Sequence, residues 1–281
     1  MAFLDRIREC NAHDIARFRP FIVAGQRIGW VRHDLAERLD GFDGVFAVAP
    51  DRVALRDEIG GFEARSAAMA EVLAVLRGEG VVPAWRDEVY PVVRRFGDAP
   101  LLQMERAGVP VFGIRAFGVH MNGFVRRGSG IEMWIARRSR AKPTFPGMLD
   151  NTVAGGQPIG LTLMENLIKE CGEEASIPPD LAARAVPAGA VSYMAAVEEG
   201  LKPDVQYCFD LELPAGFTPR PNDDEIEEFY LWPIEKVAET VRETAEFKFN
   251  CNLVLIDFLI RHGLIAPDDP DYIDIVHGLR Q

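Results

Sequence analysis

The chain is poor in cysteine, and none of the four, Cys10, Cys171, Cys208 and Cys251, falls in a CxxC pair. Zinc sites of the finger kind and a disulfide framework are thereby excluded as organising principles. No apolar run reaches the roughly 18 residues that a membrane span needs. The first residues, MAFLDRIRECNAHD, mix charges too early for a secretory leader. Positive charge is not in excess either: 31 Lys and Arg face 43 Asp and Glu, a net −12, which argues against a broad surface for nucleic acid polymers. There is no internal repeat or low-complexity segment. These absences lead to the expectation of a cytoplasmic globular protein, its 281 residues enough for one large or two ordinary domains.

The densest pattern present is GGQPIG at residues 155–160, followed by LTLMENLIKECGEEASI at 161–177. It reads as a glycine-rich turn opening into a helix. At about 100° per residue, Glu170, Glu173 and Glu174 share one helical face. Met164, Leu167, Ile168, Cys171 and Ala175 form an apolar stripe on another. Gathering three like charges opposes the helix by a few tenths of a kcal/mol per pair, about what one such pair costs on a surface helix. Lys169 offsets part of this, and a hard divalent cation such as Mg²⁺ or Mn²⁺ would offset the rest. A solvated acidic face is the plain alternative; the preceding Gly-Gly and the adjoining stripe weigh against it.

This stretch resembles the Nudix box: glycine, five residues, Glu, seven residues, then Arg-Glu-apolar-x-Glu-Glu-x-Gly-apolar. Gly155, Glu170, Cys171, Glu173, Glu174 and Ile177 match in register, while Leu161, Lys169 and Ser176 stand where the box has Glu, Arg and Gly. Lys keeps the charge of Arg but loses its planar fork. The resemblance implies a metal held by Glu170, Glu173 and Glu174, with backbone carbonyls near Gly155.

Around the box, residues 1–108 read as a smaller α+β unit in which no catalytic constellation stands out, a packing or substrate-covering domain. A hairpin is expected around residues 24–26 and a helix over 66–77. After a junction near residues 106–110, apolar strand character runs over 111–125, and residues 131–136 alternate as a strand. Further strands over 191–197, 205–213 and 226–232, then helices over 234–243 and 250–262, fit a mixed sheet sandwiched by helices in residues 109–281. The cations Arg137, Arg138, Arg140 and Lys142 precede the acidic helix. Arg137, Arg138 and Lys142 are candidates to bind phosphate across from a metal.

Further segments, residues 118–123, 142–151, 224–227 and 257–263, resemble the Nudix branch related to thiamin pyrophosphokinase, whose extra N-terminal domain residues 1–108 resemble. The resemblance implies an α/β/α Nudix sandwich, and hydrolysis of a small organic diphosphate to a monophosphate, with thiamin diphosphate or its oxidised forms as substrates. It also implies a homodimer at family level and involves neither nucleic acid nor membrane. Glu170, Glu174 and the loop residue Glu225 are the candidate catalytic acids, with Glu227 as a second loop acid. His120 and Asn122 are candidates for polar substrate contacts, and Phe145 and Trp134 for stacking. A nucleoside diphosphate derivative is the alternative substrate. A silent ligand sensor is the alternative class, favoured by Leu161 and disfavoured by the intact Glu170, Glu173 and Glu174. Isopentenyl diphosphate isomerase shares local features but needs a cysteine where Ala154 stands and a histidine where Gly156 stands.

Overall fold

A computed structural model describes residues 2–142 and 144–281. Pro143, within the segment that carries the branch resemblance, lies outside the described residues. The chain opens with α1 (Phe3–Cys10), which buries Leu4, Ile7 and Cys10. The expected hairpin is β1 (Phe18–Val23) and β2 (Gln26–Arg32), turning through Ala24 and Gly25, both at left-handed φ. That geometry matches the twist of the two strands. With α2 (His33–Leu39), β3 (Phe46–Ala49) and β4 (Arg52–Leu55), these strands form a sheet ordered β2-β1-β4-β3. The helix α3 (Gly61–Gly78) begins earlier than residue 66 and sends Met69, Val72, Leu73 and Leu76 into the same core. A separate hairpin follows, β5 (Val89–Val92) against β6 (Leu102–Glu105).

Residues 111–114 do not extend a strand. Val111, Phe112 and Ile114 fold back into the N-terminal core, and the Phe112 carbonyl accepts the Trp30 N–H at 2.9 Å. An apolar run alone does not separate a strand from core-filling loop.

The larger part comprises β7 (Phe117–Arg127), β8 (Gly130–Arg138), β9 (Leu149–Asp150), β10 (Val153–Gly156), α4 (Leu163–Ala175), α5 (Pro179–Ala182), β11 (Val186–Ser192), β12 (Ala195–Ala196), β13 (Leu201–Lys202), β14 (Val205–Glu212), β15 (Ile226–Pro233), α6 (Ile234–Glu243), α7 (Cys251–Arg261) and α8 (Tyr272–Gly278). Its sheet runs β11-β14-β7-β8-β15, with β10 beside β7 and β9 beside β8. The β7–β14 pair is parallel and the other pairs are antiparallel, so the sheet is mixed as expected. The central strand β7 is buried on both faces. Val119, Met121 and Val125 meet Leu167 and Cys171 of α4, while Phe124 joins the core of α6 and α7. Alternation along one strand thus places helices on both sides, the α/β/α sandwich. α1 joins this larger part: Leu4, Ile7 and Cys10 share a core with Val237, Leu255 and Ile275. Among the described residues, no helix is long and apolar enough to cross a membrane.

Candidate active site

Gly155 and Gly156 form no turn; they end β10, paired with Val119 and Gly118 of β7. The helix α4 starts later than the sequence pattern suggests. Thr162 caps it, accepting the Glu165 N–H at 3.2 Å while the Glu165 carboxylate accepts the Thr162 N–H at 2.8 Å. It ends on Ser176 at φ 53°, the left-handed position where the box has glycine. Ser176 Oγ donates to the Arg220 carbonyl at 3.0 Å. Both glycines are needed for close approach: a methyl group at Gly155 would overlap the Glu170 carboxylate, and one at Gly156 the Tyr90 hydroxyl. Gly155→Ala therefore pushes Glu170 aside. Turnover is expected to fall on the order of 10²-fold, the effect of a misplacement of about 1 Å. Steady-state kinetics beside a thermal melt checks this, and an unchanged kcat would refute the packing argument.

The three box carboxylates differ in surroundings. Glu174 is buried and accepts the Ala154 N–H at 2.9 Å. Burial lifts its carboxyl well above the usual range against that hydrogen bond, and the nearby charges of Glu170, Asp150 and Glu225 push the same way. Glu170 is 14% exposed and is also raised by burial, which outweighs the pull of Lys169. Glu173 points outward. Lys169, where the box has Arg, bridges Glu170 at 3.3 Å and Glu173 at 2.6 Å. Gly155, Glu170 and Glu174 thus converge, while Glu173 lies at the rim. A partly desolvated set of oxygen donors carrying surplus negative charge suits a hard divalent ion. The absent box carboxylate costs this set nothing: Leu161 lies outside α4 with its side chain exposed.

Glu225 stands in the loop before β15 and pairs with Lys142 at 2.5 Å. Burial would raise its carboxyl, but Lys142, Arg106 and Arg138 hold it below the usual range. Glu227 is more remote, paired with Arg140 at 3.5 Å. Of the candidate phosphate binders, Lys142 reaches this region. Arg138 is buried and committed: it donates to Asp150 at 2.9 Å and to the carbonyls of Phe145 and Thr144 at 3.1 and 3.0 Å. Arg137 donates to the Gly147 carbonyl at 2.8 Å and to the Tyr230 hydroxyl at 3.0 Å. Both arginines hold the loop between β8 and β9, the loop that carries Lys142. Trp134 is core beside α4; Phe145 is partly exposed against Phe249, 5.5 Å away.

His120 and Asn122 are buried in a polar network with Asn151, in the turn between β9 and β10. His120 Nδ1 lies 2.8 Å from Asn151 Oδ1, and Asn122 accepts from Asn151 and donates to Asp210, both at 3.1 Å. Burial, helped by Lys248, pulls the His120 ring down to about 4, so it is neutral near pH 7. Asp150 anchors this network. Lys248 at 3.5 Å and Arg138 at 2.9 Å overcome burial and hold its carboxyl well below the usual range, and the Cys251 thiol donates to it at 2.7 Å. His120, Asp150 and Cys251 offer donor atoms within 4.8 Å of one another. Two protein cations already neutralise that carboxylate, however, and burial keeps the thiol protonated. The donor set that fits a divalent ion is the one at Gly155.

Residues that the sequence pattern left unremarked also face the site. Tyr90, in β5, lies against Gly156; Arg106 stacks over its ring at 5.4 Å and pairs with Glu88 at 2.8 Å. Arg86 reaches Thr144 at 3.4 Å. The only local signal was the polar run WRDE at residues 85–88 ahead of a strand.

A family model described as a domain of unknown function (DUF4743) matches residues 2–116. "Nudix hydrolase 20, chloroplastic" of Arabidopsis thaliana is 42% identical over 289 residues, covering 99% of this chain and 77% of that protein. "Nudix hydrolase 24, chloroplastic" of the same plant is 41% identical over 282 residues, with the same coverage of 99% and 77%. Among solved structures, the NUDIX domain of Shewanella oneidensis NrtR complexed with ADP ribose aligns at a TM-score of 0.43 and 13% identity, covering 54% of this chain and 90% of that one.

Proposed function

The chain belongs to the Nudix hydrolase family, hydrolases acting on pyrophosphate bonds, and we propose that it cleaves a small organic diphosphate with a divalent ion held by Glu170, Glu174 and the Gly155 carbonyl. The observation that carries this reading is the convergence of two desolvated carboxylates on a glycine strand that admits nothing bulkier. Bound there, Mg²⁺ or Mn²⁺ would neutralise the diphosphate and make an attacking water more acidic.

The chain's own groups supply the rest. Lys169 orients the Glu170 carboxylate. A box carboxylate that the ion leaves free takes the water's proton. Glu225 is tied to Lys142 and serves to place that ammonium beside the phosphate chain. Glu173 sits at the rim as an outer carboxylate. His120 and Asn122, already bonded to Asn151, hold the turn that leads into β10.

Thiamin diphosphate and its oxidised analogues are the first substrates proposed, on the segments that resemble the thiamin pyrophosphokinase-related branch; nucleoside diphosphate derivatives are the second. The test is a panel of both classes incubated with Mg²⁺, with phosphate release as the readout. Turnover of a thiamin-type diphosphate above the nucleotides is the expected result. Preference for a nucleotide overturns the substrate, and release from none of them overturns the hydrolase reading in favour of a silent sensor. Cytoplasmic residence and a homodimer are parts of the same proposal, checked by cell fractionation and light scattering.

A further inference from the structure

The box helix presents negative charge, and a diphosphate is itself negative, so a working site needs donors facing the carboxylates. Two of the sequence candidates for that task, Arg137 and Arg138, are spent on the β8–β9 loop. The N-terminal unit offers two others. Arg86 precedes β5 and Arg106 follows β6, at the base of one hairpin. Val89 pairs with Glu105 there, and the Arg106 N–H donates to the Glu88 carbonyl at 2.8 Å. The buried Glu105 carboxylate accepts the backbone N–H of Arg86 at 2.9 Å and of Ala107 at 3.2 Å. One carboxylate thus fixes the backbone on both arms of the hairpin. Tyr90 then seats the hairpin on Gly156, and Arg106 stacks on the tyrosine ring.

The two guanidiniums are held but not used up. Arg106 gives one nitrogen to Glu88, Arg86 gives one to Thr144, and their remaining side-chain N–H groups have no partner among the described residues. Arg86 is half buried, and burial together with Arg106 and Arg138 holds its guanidinium below its usual value. Arg106, against burial, is held above its usual value by Tyr90 and Glu88, and Glu225 lies near both arginines, so the pair already has partial anionic cover. Gly155 meets Glu170 while the next residue, Gly156, meets Tyr90 and the Arg106 guanidinium. Tyr90 lies within electrostatic reach of Glu170, and Glu225 within reach of Arg86, Arg106, Glu170 and Glu174, so the arginines and the box carboxylates border one region.

We propose that Arg86 and Arg106 form a diphosphate clamp, by which the N-terminal unit completes the site bordered by Glu170 and Glu174. This rests on the hydrolase reading for its biological meaning, but it is tested by binding alone. The N-terminal unit is then more than a cover: it binds the phosphate chain and shares in selecting for diphosphates over monophosphates.

The probe is methylenediphosphonate, which is not hydrolysed, titrated by calorimetry into the full-length protein with Mg²⁺. Arg86→Gln and Arg106→Gln are each expected to weaken binding roughly 10- to 100-fold, the worth of charge-assisted hydrogen bonds. Orthophosphate, with a single phosphate to offer, is expected to lose less. Arg184→Gln, on the exposed approach to β11, serves as the control and binds as wild type does. Should Arg106→Gln not fold, Arg106→Lys keeps the charge without the fork and is expected to bind between the two. Wild-type affinity in both arginine variants, or no binding by the wild type, overturns the clamp. If the wild type binds the probe but releases phosphate from no substrate, the hydrolase reading fails while the clamp stands.

Discussion

Glu174→Gln is expected to lose at least a hundredfold in turnover with Mg²⁺, and at the same time to melt higher than the wild type when both are stripped of metal by chelation. The loss follows from removing a charge that holds a catalytic cation, which commonly affects kcat on the order of 10² or more. The stabilisation follows from burial. Glu174 is desolvated against one backbone N–H, with other carboxylates nearby, so its carboxyl is raised well above the usual range. The folded chain therefore keeps a proton that the unfolded chain releases at the ordinary glutamate value. The metal-free protein has its full share of stability from this group below that value and loses it as pH rises towards the folded one. Glutamine carries no charge to desolvate and removes this slope. Added Mg²⁺ should raise the melting temperature of the wild type more at pH 8 than at pH 5, and change the variant far less. A variant with unchanged turnover would reject the assignment of Glu174 as a metal holder. A metal-free melt indifferent to pH in the wild type would reject the account of its burial.

Asp150→Ala should cost about 3–5 kcal/mol, the penalty for leaving buried charges without their partner. Asp150 joins Arg138 and Lys248 and also accepts from the Asn151 N–H and the Cys251 thiol. Without it, Arg138 has lost the carboxylate that positions its fork, and the loop bearing Lys142 loses its anchor. Such a cost is a large part of the roughly 5–15 kcal/mol that holds a domain folded. Urea unfolding measures it directly. Asp150→Asn keeps the shape and some of the hydrogen bonds and should fall between the two. A loss below about 1 kcal/mol in the alanine variant would show that the two cations find water or another carboxylate instead. Activity should fall with stability here, because Asn151, which ties His120 to Asn122, follows directly on Asp150.

These two carboxylates mark where the sequence was readable and where it was not. Glu174 announced itself through spacing: i, i+3 and i+4 acids beside an apolar stripe lie on one short helix, and local periodicity captures that. The sandwich followed from strands and helices of ordinary pattern. Asp150 gave no such signal, since its partners Lys248 and Cys251 arrive from some hundred residues away. The charge run at residues 137–142 looked like free cations because sequence cannot show carbonyls. Once folded, Arg137 and Arg138 meet the oxygens of Gly147, Phe145 and Thr144. Gly155-Gly156 read as a turn because glycine is common there; what demands glycine is the crowding of Glu170 and Tyr90 against a paired strand. Arg86 and Arg106 were unmarked because a hairpin brings them together and Tyr90 then seats that hairpin on a residue far along the chain.

The helix α1 limits how modular the chain is. Its apolar side is shared with α6, α7 and α8, while the strands that come directly after it build the other unit. The polypeptide thus begins in one body, crosses to a second and comes back, like a belt threaded twice through the same buckle. A single scission near residue 116 would not yield two whole parts. The catalytic half would forfeit a strip of its own interior and be left with a greasy trench, so shuffling this architecture between proteins requires moving the opening segment as well.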